Sequence, residues 1–282
     1  MISKSYAKIN LSLKVLGTRD DGYHLLQMVN LPLTLHDIII FDPLPKNVIT
    51  HIVCDDPGLS SLKHNLCLKA FNLMQEKYGF DQHFLIKIHK EIPFAAGLGG
   101  GSSNAATVLL GLNKILKLGA SIEELSELGL KIGADVPFFL RNKPMEVGGI
   151  GETMKEISVK KNWYIVLAKP QEGVSTSDVY SICDNFPKTN VDTALVEEGL
   201  AEFDEDKIAR GIGNDLMAPA ESLLPGIGDV YSLLKKFGFP IVSMSGSGSC
   251  CFGLTKSESL AKDAFRKFDK MGYVVRRCKI LL

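Results

Sequence analysis

Residues 93–103 read PFAAGLGGGSS, and the rest of the chain can be placed around them. Five consecutive positions, 97–101, carry four glycines. Glycine gives up more backbone entropy on folding than any other residue, so such a run belongs where the chain needs positive φ or close approach to a ligand. Directly downstream, Ala105, Ala106, Val108, Leu109, Leu112 and Leu116 recur at the spacing of one helix face. The loop therefore feeds a helix N-terminus, whose unpaired N–H groups attract an anion. The helix dipole contributes only about 0.3–1 kcal/mol in exposed settings. Loop N–H groups and the hydroxyls of Ser102 and Ser103 must share the work of holding a polyphosphate. A flexible linker is the plainer alternative, but it fits poorly beside a strongly apolar helix with no polar spacer. Two standard phosphate loops are excluded: no Gly-Lys pair occurs, and the third glycine of G-x-G-x-x-G falls on Ser102.

Working outward, Ala7, Ile9, Leu11, Leu13 and Val15 alternate with Lys8, Asn10, Ser12 and Lys14. This period of two predicts a strand buried on one face, with Lys8 and Asn10 pointing the same way. Asp135, in the segment GADVPFFL, sets a carboxylate against an apolar stretch, where burial demands a partner. Taken alone it reads as a capping or turn residue. Lys8 can supply the missing charge, and a meeting of the two at the glycine loop would assemble a base, a cation and a phosphate cradle. A second glycine–serine cluster, SMSGSGSCCFG at 243–253, holds more small polar backbone than a hairpin needs. Gly246, Ser247 and Gly248 at its centre suit a loop lying over the first.

Strands are predicted at 38–41, 48–54, 84–88, 163–168, 241–244, 250–254 and 273–280, and helices at 65–77, 121–132, 177–183, 214–223, 227–237 and 258–271. Ser121 and Glu124 form a capping box, and Gly133 ends that helix before the chain turns at GADVPFFL. The seven acidic residues of 192–206 predict a solvated helical face. A boundary is placed near 155, giving domains 1–155 and 156–282 of an α+β protein. The 282 residues suit two domains, and 45% hydrophobic with 23% charged residues describes an ordinary globular chain. Lys plus Arg and Asp plus Glu both number 32, so no overall positive field exists to hold nucleic acid. No apolar run is long enough to span a bilayer and no secretory signal is legible, so a cytoplasmic protein without membrane partners is expected. The six cysteines lack C-x-x-C or zinc spacing and read as buried reduced thiols.

Three of these segments resemble the motifs of the GHMP kinases, in family order: AKINL at 7–11, PFAAGLGGGSS at 93–103 and SGSGS at 245–249. DGYH at 21–24, the triple glycine 99–101 and GADVPFFL at 133–140 are similar to one branch of that family. The resemblance covers most of the chain. It implies an N-terminal ATP-binding domain (ribosomal protein S5 domain 2-like) and a C-terminal ferredoxin-like substrate domain. The implied reaction moves the ATP γ-phosphate to the 2-hydroxyl of 4-diphosphocytidyl-2-C-methyl-D-erythritol, in non-mevalonate isoprenoid synthesis. By motif position, Asp135 would be the base and Lys8 its cationic partner. ATP would lie along Pro93, Phe94, Ala95, Ala96, Gly97, Leu98, Gly99, Gly100, Gly101, Ser102 and Ser103, with Asn65 and Lys90 near the adenine. Tyr23 and His24 would contact the cytosine, with Asn10, Thr176 and Tyr180 as further substrate contacts, Tyr180 as an opposing ring. The branch often carries another glycine where this chain has Phe94-Ala95-Ala96, which narrows the room beside the nucleotide. Mg²⁺ is implied by the ATP chemistry, and no acidic ligand for it maps onto the sequence. The implied working unit is a monomer or homodimer. Another GHMP kinase, of homoserine or mevalonate type, and a non-catalytic nucleotide-binding protein remain the alternatives.

Overall fold

The structure, a computed structural model, describes residues 1–20, 22–55 and 65–282. Asp21 of the DGYH motif lies outside the described residues. Backbone contacts divide the chain into two compact units: Met1–Ala7, His36–Ile92 and Gly99–Asn142 in the first, Lys8–Leu35, Pro93–Leu98 and Lys143–Leu282 in the second. The division is discontinuous because two long strands, β1 (Ile2–Thr18) and β2 (His24–Pro43), each contribute residues to both units. β1 pairs with β2.

In the first unit, residues 38–43 of β2 run antiparallel to β4 (Phe84–His89), which in turn runs parallel to β3 (His51–Cys54). Among the described residues, α1 (Leu66–Tyr78), α2 (Gly100–Ile115), α3 (Ile122–Ile132) and α4 (Val136–Arg141) accompany them. Asn65 caps α1, its side chain accepting from Cys67 N, and the Ser121–Glu124 capping box is formed in full at α3. α2 lies so close to Phe41 that a Cβ at Gly111 would stand 2.4 Å from the ring, which is why that helix tolerates an interior glycine.

In the second unit, residues 26–30 of β2 pair antiparallel with β5 (Met145–Gly149), and β5 with β6 (Thr153–Glu156). A separate antiparallel sheet has the order β10-β7-β9-β8, from β7 (Tyr164–Lys169), β8 (Ile241–Met244), β9 (Cys251–Thr255) and β10 (Val274–Lys279). The helices are α5 (Thr176–Ile182), α6 (Thr193–Glu202), α7 (Glu205–Gly211), α8 (Met217–Leu223), α9 (Gly226–Lys236) and α10 (Glu258–Lys270). α9 and α10 pack on this sheet. The fold is α+β, as the sequence predicts. All six cysteines are buried thiols outside any disulfide. Among the described residues, no helix is long and apolar enough to cross a membrane.

Four expectations need correction. β1 is buried on both faces: from Ala7 to Leu13 every residue is 3% exposed or less. Lys8 bonds Asn10, Asn10 bonds Asn30 on β2 and Ser5 bonds Ser103, so alternation of polarity does not mean alternation of exposure. β2 runs for 20 residues where only 38–41 was predicted, Pro32 having interrupted the pattern. The turn predicted at GADVPFFL is the helix α4, whose Pro137 sits in the first turn where a missing N–H costs nothing. The acidic stretch 192–206 forms two helices rather than one face, with Asp192 and Asp204 each capping a helix start.

Candidate active site

In the second unit, Lys8 and Asn10 sit at the centre of a buried polar cluster on β1, 3% and 1% exposed. Lys8 Nζ donates to Asn10 Oδ1, while Asn10 Nδ2 donates to Asn30 Oδ1 at 2.7 Å and approaches Met28 Sδ at 3.1 Å. The opening of the glycine loop is laid against this strand: Lys8 N donates to Leu98 O at 3.0 Å. The second glycine–serine loop closes over it. Ser245 Oγ accepts from Asn10 N at 3.1 Å and donates to Gly97 O at 2.9 Å. Gly97 has φ +69°, and a Cβ there would stand 2.0 Å from Ser245 O. Gly246 has φ +57°, and its Cβ would stand 3.1 Å from Asn10 Oδ1 and 3.3 Å from Gly97 O. These glycines permit contact between two backbones, a stronger reason for glycine than flexibility.

Thr176, at the start of α5, shares a hydrogen bond of 2.8 Å with Ser247. Pro93, Phe94, Ala95, Ser175 and Thr176 line a cavity of about 790 Å³ with Lys169 in its wall. Burial lowers the pKa of Lys169, whose Nζ donates to Pro170 O and Gln171 O. Ala95 holds φ +48°, a left-handed conformation that favours glycine.

The cytosine candidates of the second unit also cluster. The rings of His24 and Tyr180 lie 5.2 Å apart at 38°, so Tyr180 faces His24. His24 Nε2 lies 3.2 Å from Asp184 Oδ2 and 3.4 Å from Cys183 Sγ. The hydrogen bond from His24, joined by Lys188, holds the Asp184 carboxyl below the usual carboxylate range, and burial pushes the Cys183 thiol up. Tyr23 is 61% exposed, so it is not a core aromatic.

In the first unit, Gly99 has φ +70° and precedes α2, which starts with no capping side chain and no acidic residue in its first turn. The N–H groups of that turn lack intrahelical acceptors, so this end of a 16-residue helix suits an anion. A Cβ on Gly100 would stand 3.2 Å from Lys90 Nζ. Lys90 is ion-paired with Asp37, which is fully buried, and donates to Asn104 Oδ1 at 3.3 Å. Asp37 also accepts from Glu91 N, Ile92 N and Asn104 Nδ2, fixing the chain that leads into the loop. The Ser103 hydroxyl is bonded to Ser5 Oγ at 2.8 Å in the interior, which leaves Ser102 as the hydroxyl of the pair nearer the surface. Ser102 Oγ adjoins the turn before α4, lying 3.8 Å from where a Gly133 Cβ would be. Asp135 occupies the cap position of α4 without making a capping hydrogen bond to it. Asn65, by contrast, spends its Oδ1 on capping α1.

The sequence reading missed Asp37 and Asn104, which hold Lys90, and Asn214, whose Nδ2 donates to both Met244 O and Gly246 O at 2.8 Å. It also missed Asp215, which accepts from Val15 N and from Thr189 N and Oγ1. The adjacent Asn214-Asp215 pair after Gly213 was the available signal, but its partners lie up to 200 positions away. For Mg²⁺, no fitting cage is present among the described residues. The one group of three candidate metal ligands is His24, Cys183 and Asp184, whose nitrogen and sulfur suit a softer ion.

Two family models match the chain, the GHMP kinases N terminal domain over residues 65–143 and the GHMP kinases C terminal domain over 196–274. The chain is 39% identical over 279 residues to the 4-diphosphocytidyl-2-C-methyl-D-erythritol kinase of Bacillus cytotoxicus, covering 98% of this chain and 96% of that one. It is 37% identical to the kinase of the same name from Bacillus velezensis, with the same coverage. A crystal structure of 4-(cytidine 5'-diphospho)-2C-methyl-D-erythritol kinase superposes with a TM-score of 0.83 at 31% identity, covering 99% of each chain. With its two matched domains, its glycine loop interlocked with the second glycine–serine loop and relatives this similar along nearly the whole sequence, the chain belongs to the GHMP kinase family, on its 4-diphosphocytidyl-2-C-methyl-D-erythritol kinase branch.

Proposed function

We propose that this chain transfers the γ-phosphate of ATP to the 2-hydroxyl of 4-diphosphocytidyl-2-C-methyl-D-erythritol, with Asp135 as the base and Lys8 as its cationic partner. Phosphoryl transfer asks a protein mainly to position groups and to stabilise charge. What supports the reading is the likeness to kinases of that name along nearly the whole chain, with Asp135 standing at the start of α4. A carboxylate within reach of a substrate hydroxyl can take its proton. Lys8 offsets charge on the transferring group. The uncapped start of α2 and the glycines at 97 and 99–101 fit the phosphates of ATP. Mg²⁺, when bound with ATP, would supply positive charge that offsets the phosphates beside the start of α2.

Asn65 and Lys90 serve the adenine end, with Asp37 setting the position of Lys90. Tyr23 and His24 take the cytosine, with Asn10, Thr176 and Tyr180 as further contacts, and 246–248 backs the phosphate loop. In domain terms, 1–155 binds the nucleotide and 156–282 supports the substrate. The enzyme works in the cytoplasm as a monomer or homodimer, without nucleic acid or membrane.

The test is to mix the protein with ATP, Mg²⁺ and the cytidyl substrate and to follow ADP. A panel containing homoserine and mevalonate should give no comparable turnover. Activity indifferent to the cytidine group would defeat the substrate assignment, and ATP binding without turnover on any alcohol would defeat the enzyme.

A further inference from the structure

We propose that His24 Nε2, Cys183 Sγ and Asp184 Oδ2 form a binding site for a soft divalent cation of the zinc class. The three ligand atoms lie within 4.8 Å of one another. With ordinary zinc bond lengths, a tetrahedron puts its nitrogen and oxygen ligands about 3.4 Å apart and its sulfur about 3.6 Å from either. Here the nitrogen is 3.2 Å from the oxygen and 3.4 Å from the sulfur, close to two of the three edges.

With a hydrogen on His24 Nε2 directed to Asp184 Oδ2 at 3.2 Å, the Cys183 thiol turns to Asp184 Oδ1 at 3.9 Å, a long contact. One cation takes a lone pair from all three groups at once. The thiol proton passes to solvent as the Cys183 thiolate bonds the metal. Lys188 opposes the cation, but its Nζ lies on the other carboxylate oxygen, 3.3 Å from Asp184 Oδ1, and besides His24 the Oδ2 atom receives Thr18 Oγ1 at 3.4 Å, a long contact that a metal would displace. Asp184 is 61% exposed and gives the ion a way in, while Cys183 is buried behind it. Three protein ligands leave a fourth position open.

Because His24 is also the proposed cytosine contact, bound metal competes with the cytidine substrate; this consequence rests on the function proposed above. The test uses the full chain stripped with chelator and titrated with Co²⁺ as a spectroscopic probe, then with Zn²⁺ in competition. One Co²⁺ per chain is expected, with a thiolate-to-metal absorption band that Zn²⁺ abolishes. Cys183→Ser should remove the band, and Asp184→Asn, at an exposed position that does not threaten folding, should weaken binding at least tenfold. Absence of a saturable equivalent, or a band undiminished in Cys183→Ser and Asp184→Asn, overturns the site. In the kinetic arm, Zn²⁺ should raise the KM for the cytidyl substrate in the parent chain and not in Cys183→Ser. Stoichiometric metal with an unchanged KM supports the metal site and removes His24 from cytosine recognition instead.

Discussion

Ser245 and Gly97 lock two loops together across 148 positions of sequence: the serine hydroxyl donates to the glycine carbonyl at 2.9 Å, and a Cβ on the glycine would stand 2.0 Å from the serine carbonyl oxygen. Gly97→Ala therefore meets both a left-handed φ of +69° and a backbone clash that no rotamer relieves. The left-handed conformation alone costs about 1–2 kcal/mol. The loop has to move off β1, so ATP affinity should fall at least tenfold and thermal stability should drop, measured by nucleotide titration and calorimetry. An alanine variant with parental ATP affinity would show that the contact is not required.

Asp135→Asn keeps the volume of the side chain and removes its basicity. Turnover should fall by about 10²–10⁴, the usual contribution of a positioned base. Steady-state kinetics beside an ATP-binding titration check this, and lost ATP binding with intact turnover would contradict the role.

Asp37 is fully buried and partners Lys90, Asn104 and two backbone N–H groups. Asp37→Ala strands the Lys90 charge, which is only 10% exposed, and should cost about 3–5 kcal/mol. A urea midpoint measures it. ATP affinity should weaken too, since Lys90 loses its anchor beside Gly100.

Burial pushes the Cys67 and Cys250 thiols up to about 12. An unfolded cysteine titrates near about 8.5. A raised folded pKa means that stability from these thiols is full below about pH 8.5 and is lost as pH climbs toward 12. The urea midpoint should fall between pH 9 and pH 11, in roughly that window. At pH 8, alkylation of the native chain should be slow, with all six thiols reacting once it is unfolded. Rapid native labelling of Cys67 or Cys250 would refute their burial.

Local patterns were legible where a single segment contains its own reason. The capping box of Ser121 and Glu124 involves neighbours three positions apart, so side-chain chemistry names it before any tertiary contact exists. The glycine loop was legible for the same reason, because four glycines leading into a helix meet a backbone need that lies within the same few residues. The turn expected at 133–140 became α4 because packing of Val136, Phe138 and Phe139 outweighed the signals of Gly133 and Pro137.

The sequence by itself determined the α+β class, the two glycine-rich loops and the residue types that serve them. Only the tertiary structure decided that both faces of β1 are buried, that Asn214 pins the second loop, and that Asp37 and Asn104 hold Lys90. It alone brought His24 within 3.4 Å of Cys183, from 159 positions away. The physical reason is that periodicity and capping report forces acting within a turn or two of chain. A buried polar partner is chosen by whichever distant side chain can satisfy it, and no local pattern encodes that choice.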